Sequence, residues 1–258
     1  MSRIRRYRIA FVTIVVREIL RFSRIWVQTI LPPAITTALY FIIFGTLIGD
    51  RIGEMDGYRY KDFIVPGLIL MAVITHSYAN VVSSFYHSKY QHHVEELLVA
   101  PVPDWIILLG YVTGGVARGL VVGLVVTLVS FFFTDLPIAN YPLTLLVVVL
   151  TSILFATGGF INAIFANSFD DISVIPVFVL TPLTYLGGVF YSIDLLPQFW
   201  QDVSLANPLL YMINAFRYAM LGVSDIQPGV ALALIAGFVL LLGAVALWLL
   251  KKGVGIKS

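Results

Sequence analysis

Long apolar runs alternate with short polar stretches along the whole chain. Six of these runs carry few or no charges, and each is long enough to cross the roughly 30 Å hydrocarbon layer of a membrane as a helix. The runs cover about 25–48, 63–86, 105–133, 143–166, 172–193 and 229–250. A membrane-spanning β-strand needs only about 10 residues, so these lengths favour helices over a barrel. The pattern therefore predicts an all-α membrane protein with six transmembrane helices.

The composition agrees with a lipid environment. The chain is 59% hydrophobic and 12% charged, with a mean hydropathy of +0.95, whereas a soluble domain carries about 25% charged residues. The net charge of +2 gives no basis for nucleic-acid binding. The chain has no cysteine, which excludes a disulfide framework, a thiolate metal site and a cysteine nucleophile.

The distribution of basic residues predicts the orientation of the chain. Seven arginines precede the first run and three lysines follow the last one, and segments rich in Lys and Arg stay on the cytoplasmic side. Both termini are therefore predicted to be cytoplasmic, which requires an even number of spans. The segment 87–104 and the turn at Asp170 and Asp171 then face the cytoplasm as well. The segments predicted outside are 49–62, 134–142 and 194–228.

An amphipathic interfacial helix is predicted over 4–24, before the first span. Arginines that include Arg17 and Arg21 follow one stripe at the helical period, and apolar residues lie on the opposite side. Two compatible interpretations stay open. The helix lies on the anionic inner leaflet of the membrane, or its surface also receives a cytoplasmic partner.

A re-entrant element is predicted over 195–222 on the outer face, between spans five and six. Its helical part contains Asn207, Asn214 and Arg217, which makes it too polar for a seventh span. A seventh span would also move the C-terminal lysines to the outside, against the charge rule. We therefore expect a re-entrant or interfacial helix that dips into the outer leaflet.

Ionisable groups are rare within the six runs. Asp and Glu are absent from all of them, while His76 lies in the second run and Arg118 in the third. This argues against a proton relay or a carboxylate-gated carrier, although sodium sites built from backbone carbonyls stay open. Arg118 either reaches the cytoplasmic interface by snorkelling or faces a substrate path. His76 is either hydrogen-bonded within the bundle or a ligand to substrate.

Glycine and proline spacing gives expectations for helix packing. Gly115, Gly119 and Gly123 repeat every four residues in the third run, which lets another helix approach closely. In the fifth run, two prolines and the pair at 187–188 should bend or unwind the helix. Because broken helices often line transport paths, Tyr185 in this run joins His76 and Arg118 as a candidate for the translocation path.

The predicted cytoplasmic loop contains a short helix that Pro101 ends. Glu95 and Glu96 project charge from it, and Leu97 offers apolar contact. The helix is either a connection at the membrane surface or a docking helix for a motor subunit. Three nearby histidines lack carboxylate or cysteine ligands at a recognised spacing, so no metal site is predicted.

Two further features bear on chemistry. Asp170 and Asp171 precede the fifth run, where carboxylates cap backbone N–H groups and suit the helix dipole. Acid–base catalysis by this pair is disfavoured because no nucleophile accompanies it. No G-x-x-x-x-G-K-[ST] motif occurs in the sequence. ATP-driven transport would therefore need an ATPase on another chain.

Over nearly its whole length the chain resembles the ABC-2 type permeases, most closely a bacterial inner-membrane subgroup of exporters. The segments that carry this resemblance are 63–68, 95–103, 169–173, 180–191 and 207–218. The resemblance implies a six-helix half that forms a homodimer around a translocation path. It also implies two separate cytoplasmic ABC ATPase subunits, which bind ATP and Mg²⁺, whereas this chain itself binds no cofactor.

The resemblance also implies where an ATPase would bind. In such families the N-terminal helix and the loop between spans two and three contact the ATPase, which corresponds to 4–22 and 90–100 here. The residues concerned are Arg17, Arg21, Glu95, Glu96 and Leu97, with Asp170 and Asp171 as a second contact. The chain is therefore expected to be an export permease and no enzyme, with an ion-coupled secondary carrier or channel as the alternative.

Overall fold

A computed structural model describes residues 3–135 and 138–255, apart from the side chains of Asp50 and Leu98. Most of the described backbone is helical. In chain order the α-helices are α1 (Arg3–Arg24), α2 (Trp26–Tyr40), α3 (Gly49–Ile52), α4 (Tyr60–Phe63), α5 (Val65–Tyr90), α6 (His93–Val99), α7 (Asp104–Ser130), α8 (Tyr141–Phe165), α9 (Asp171–Ile175), α10 (Thr181–Tyr185), α11 (Gln198–Leu205), α12 (Pro208–Leu221) and α13 (Pro228–Lys252). π-Helical turns at Phe41–Ile48 and Pro176–Leu180 extend α2 and join α9 to α10, and a 3₁₀ turn covers Ile193–Leu195.

Five helices in the described residues are long and apolar enough to cross a membrane. They are Trp26–Ile48, Tyr60–Tyr90, Asp104–Ser130, Tyr141–Phe165 and Pro228–Lys252. Their order and spacing follow five of the six predicted runs. The structure is thus that of a mostly helical membrane protein, and the count of six spans stays a prediction.

The predicted fifth span differs from the structure. Its helix runs only over Asp171–Tyr185, and at 1.5 Å per residue this covers about 22 Å, less than the hydrocarbon layer. Pro176 removes a backbone donor where the π-helical turn begins. Beyond Tyr185 the chain reverses through Gly188, whose φ of +76° favours glycine. The apolar run is therefore a short, jointed helix followed by a turn, and 186–192 is not helical, contrary to the prediction.

Helix α5 forms the centre of the bundle, where it packs against α7 and α8. The glycine repeat of α7 faces these two neighbours. A Cβ atom on Gly115 would lie 2.6 Å from Val81 Cγ2 and 2.8 Å from Ala156 Cβ, and one on Gly123 would lie 2.8 Å from Val73 Cγ2. Only glycine therefore permits this separation between the helices.

Loops that are distant in sequence meet at the two ends of the bundle. At one end, Tyr58 Oη donates to Leu221 O at 2.5 Å and Ala139 N–H donates to Met220 O at 2.8 Å. These contacts join the three segments that were predicted to lie outside. At the other end, Lys89 Nζ donates to Ile164 O at 2.7 Å, and Gly255 lies against the same carbonyl. The described C-terminal residues therefore lie beside the end of α5.

A short β-hairpin departs from the all-α prediction. Strands β1 (Glu54–Met55) and β2 (Tyr58–Arg59) pair in antiparallel register. The turn between them contains Asp56 and Gly57 with φ of 52° and 79°, which matches the tight turn that an Asp-Gly pair favours. Burial, followed by the Asp225 carboxylate, raises the pKa of Asp56. The hairpin turn therefore lies near two charged residues, Asp225 and Arg217 of α12.

Candidate functional site

The short helix α6 presents a charged face at the end of the bundle. Val94 is buried and Leu97 packs partly against the core, because the two lie three residues apart on one helical face. Glu95 and Glu96 are exposed, and Val99 is 86% exposed. Leu97 is partly buried against the core while Val99 is exposed, and the contact of Leu97 with an ATPase stays a prediction.

The turn before α9 is held by a reciprocal pair of hydrogen bonds. Asp171 Oδ2 accepts from Ser168 N–H at 3.0 Å, and Ser168 Oγ accepts from Asp171 N–H at 3.1 Å, as in a capping box. The Asn167 N–H also donates to Asp171, and these bonds lower the pKa of its carboxyl group. Asp170 makes no side-chain cap bond. The prediction that both acids cap the helix is therefore wrong for Asp170, whose side chain is exposed.

Aromatic contacts connect this turn to the end of α5. The Phe169 ring lies 4.9 Å from the Tyr86 ring and 5.3 Å from the Tyr90 ring, measured between centroids. Helix α6 follows Tyr90 after two residues. The exposed carboxylates of α6 and Asp170 therefore belong to one rim of the molecule, which we call the acidic rim and define as α6 together with 167–171.

A buried carboxylate ties α1 to the bundle. Glu18 has no exposed surface, and it accepts a 2.5 Å hydrogen bond from Ser84 Oγ. Arg21 lies 3.2 Å from one of its oxygens and Arg17 lies 3.7 Å from the other. The sequence reasoning missed Glu18, although its position four residues from both Ile14 and Phe22 places it on the inward face of the helix.

The two arginines predicted to contact an ATPase are partly engaged within the chain. Arg17 donates to Tyr111 Oη at 2.5 Å. Arg21 donates to Asn80 O at 2.9 Å and to Asn80 Oδ1 at 2.8 Å. Both side chains keep part of their surface exposed. They hold α1 against α5 and α7 and also border a surface groove.

The re-entrant helix α12 is buried on nearly all sides. Arg217 has no exposed surface, and its guanidinium lies 3.9 Å from the centre of the Phe63 ring. It donates to Gly188 O at 2.5 Å and lies 3.7 Å from Asp225 Oδ2. The Arg217 side chain therefore faces partners within the protein, and the placement of α12 in the outer leaflet stays a prediction.

Asparagines complete the connections of α12. Asn207 Oδ1 accepts from Leu209 N–H at 3.0 Å, and Asn207 Nδ2 donates to Leu183 O at 2.6 Å. Asn214 Oδ1 accepts from Asp225 N–H at 2.9 Å. These bonds attach the helix to both the α10 segment and the loop before α13. Sequence reasoning selected Asn207, Asn214 and Arg217 but missed Asp225.

The candidate path residues occupy different surroundings. His76 lines a cavity of about 210 Å³ between α2 and α5. Thr36, Tyr40 and Thr75 also line this cavity. Tyr185 lines a neighbouring cavity of about 110 Å³ between α5 and the α9–α10 helix, where Thr75 recurs. The Tyr185 and Tyr40 hydroxyls are 3.3 Å apart. The two cavities therefore form a hydroxyl-lined region between three helices.

Arg118 lies outside both cavities. Its side chain is 9% exposed, and its Nε has no hydrogen-bond partner among residues 3–135 and 138–255. Such burial disagrees with a side chain that snorkels freely to the interface. The third span therefore carries a cation inside the bundle.

Comparison with known proteins identifies relatives of the whole chain. Residues 9–221 match the family model described as "ABC-2 type transporter". The "Inner membrane transport permease YadH" of Escherichia coli (strain K12) is 53% identical over 252 residues, which cover 98% of each chain. "Nodulation protein J" of Rhizobium leguminosarum bv. viciae is 24% identical over 209 residues, or 80% of each chain. These similarities confirm the resemblance that the sequence motifs indicated.

Proposed function

We propose, because the chain belongs to the ABC-2 type transporter family, that it is the membrane-spanning permease subunit of an ATP-driven exporter. The acidic rim is the observation that carries the proposal. It combines exposed carboxylates with a short helix anchored by Val94, in a sequence without a phosphate-binding loop. Separate ATPase subunits bind ATP and Mg²⁺ and dock on this rim.

The name of the 53% identical E. coli relative supports a location in a bacterial inner membrane. The arginines of α1 and the three lysines at and after the end of α13 support the placement of both termini in the cytoplasm. In that orientation the acidic rim faces the compartment that contains ATP. The re-entrant helix then lies at the outer face.

Two copies of the chain form the translocation path. Leu31, Ile35 and Leu39 follow one face of α2 at a spacing of four residues, and each is about half exposed. A second copy could cover this apolar stripe. The hydroxyl-lined cavities with His76 and Tyr185 lie beside the same helix. The dimer therefore places polar groups along a route through the membrane.

Short segments of the chain connect the acidic rim to the helices of the translocation path, and they transmit movement of the ATPases. Helix α6 follows directly on the buried α5, and the turn 167–171 leads into the jointed α9–α10 helix. ATP binding draws the paired ATPases together and favours the outward-open arrangement of the bundle. In thermodynamic terms this is a population shift between two states of the path.

The rim can be tested by charge reversal. We expect the double substitution Glu95→Lys and Glu96→Lys to lower recovery of the co-purifying ABC ATPase at least about tenfold, since breaking interfacial charge pairs costs about 2–5 kcal/mol. The ATPase is quantified after affinity purification of the tagged permease from native membranes. The matched control is Asp202→Lys, an exposed reversal on α11 near the other end. Unchanged recovery from the double variant would refute docking at α6.

A further inference from the structure

A basic groove of about 430 Å³ lies between the C-terminal half of α1 and the end of α5, close to α6. It meets α6 only at His93, and it shares no lining residue with the hydroxyl-lined cavities. Most of its charged lining is cationic or can become so. The polar residues that matter here are Arg17, Glu18, Arg21, Arg24, His87 and His93.

The groove has more positive charge than its own carboxylate neutralises. Arg17 and Arg21 both lie within 4 Å of Glu18. Arg24 adds a third guanidinium, so three cations and one anion give a charge of about +2 before any histidine is protonated. In the part of the chain that the structure describes, no side-chain hydrogen bond or ion pair involves Arg24, and this side chain is exposed. Donors therefore remain available to an anion.

The position of the groove indicates where that anion comes from. Arg24 is followed at once by Ile25 and by Trp26, where the candidate span Trp26–Ile48 begins. Leu20 and Ile25 line the groove, and both are exposed together with Trp26. Tryptophan and arginine mark the headgroup level of a membrane. An anion in this groove therefore lies beside apolar side chains that face the hydrocarbon layer.

We propose that this groove binds the phosphate group of an anionic glycerophospholipid. Arginine forks suit phosphate oxygens because they donate two parallel charge-assisted hydrogen bonds. The acyl chains extend past Leu20 and Trp26 into the membrane. The site lies at the headgroup level on whichever face of the membrane holds α1, so it does not depend on the orientation of the chain.

Native mass spectrometry of the detergent-purified full chain tests the site, with phosphatidylglycerol and phosphatidylcholine as the two probe lipids. We expect Arg24→Gln to weaken binding of the first phosphatidylglycerol about tenfold, since a charge-assisted hydrogen bond contributes that much. Arg24→Lys keeps the charge but loses the two parallel hydrogen bonds of the guanidinium. Its affinity for phosphatidylglycerol should therefore lie between those of the unsubstituted protein and Arg24→Gln. The matched control is Arg6→Gln, which removes one exposed charge from the same helix outside the groove.

Each outcome decides for or against the site. A loss confined to the Arg24 variants, with phosphatidylglycerol bound at least about tenfold more tightly than phosphatidylcholine, supports it. Equal losses for Arg6→Gln and Arg24→Gln would show diffuse attraction to the basic helix and overturn the proposal. Displacement of the lipid by inorganic phosphate at equal concentration would assign the groove to a soluble phosphate and overturn the lipid assignment. A matching thermal midpoint for Arg24→Gln and Arg6→Gln excludes misfolding as the cause.

Discussion

Replacing Asp225 with alanine is expected to lower the free energy of unfolding by about 3–5 kcal/mol, which is the usual effect of leaving a buried charge without its partner. Arg217 is fully buried and Asp225 is 4% exposed at its side chain. The substitution also removes the 2.9 Å bond that Ser192 Oγ donates to Asp225. The remaining acceptor of Arg217, the Gly188 carbonyl, carries no formal charge to balance the guanidinium.

Urea unfolding of the purified protein in one detergent measures this effect for each variant. Asp194→Ala is the matched control, because Asp194 is an exposed carboxylate close in sequence to Ser192, which bonds Asp225. Its unfolding free energy should change by less than about 0.5 kcal/mol. The double variant Arg217→Met with Asp225→Ala should recover part of the loss, since it removes the uncompensated charge. A loss for Asp225→Ala no larger than that for Asp194→Ala would contradict the role of this pair.

Replacing Glu18 with alanine should cost about 2 kcal/mol, because hydrogen bonds to a charged group contribute about 1.5–3 kcal/mol. The effect is smaller than that at Asp225 because Arg17 and Arg21 keep 44% and 31% of their side-chain surface exposed. Water can therefore solvate the freed guanidinium groups. The amide hydrogens of α1 should exchange faster with deuterium, while those of α13 should not change.

A double-mutant cycle with Arg21→Ala gives the coupling in the α1 network. The coupling energy should be about 1 kcal/mol, within the range for contacting polar groups. Glu96→Ala is the control, since it removes an exposed carboxylate that makes no buried bond. If Glu18→Ala and Glu96→Ala changed both stability and exchange in α1 equally, the buried carboxylate would not be what holds α1.

The long helices were predictable because hydropathy over about twenty residues is a local property of the chain. The end of the fifth helix was not, since 186–193 remains apolar while Gly188 reverses the backbone. The β-hairpin had a signal in the Asp56-Gly57 pair, but its two strands have only two residues each, too few to show an alternating pattern. Hydropathy thus locates apolar segments but does not show where a glycine turns the chain.

The charged groups of the interior were harder to predict. Glu18 lies in a segment dominated by arginine, and its partner Ser84 is 66 residues away. Asp225 lies in a polar loop whose sequence predicts exposure, yet its carboxylate pairs with Arg217 across the turn after α12. Both are buried only because distant helices cover them. Glu95, by contrast, is exposed, and its partner His92 is only three residues away.

Nucleotide hydrolysis in lipid nanodiscs tests the central claim most directly, which is that this permease depends on an ATPase carried by another chain. The permease alone, the co-purifying ATPase alone and the complex are compared at equal concentration with ATP and Mg²⁺. We predict no hydrolysis by the permease alone, and hydrolysis by the complex that ceases when the phosphate-binding lysine of the ATPase is replaced. Sustained hydrolysis by the isolated permease, or hydrolysis by the complex at a rate that this replacement leaves unchanged, would contradict the account.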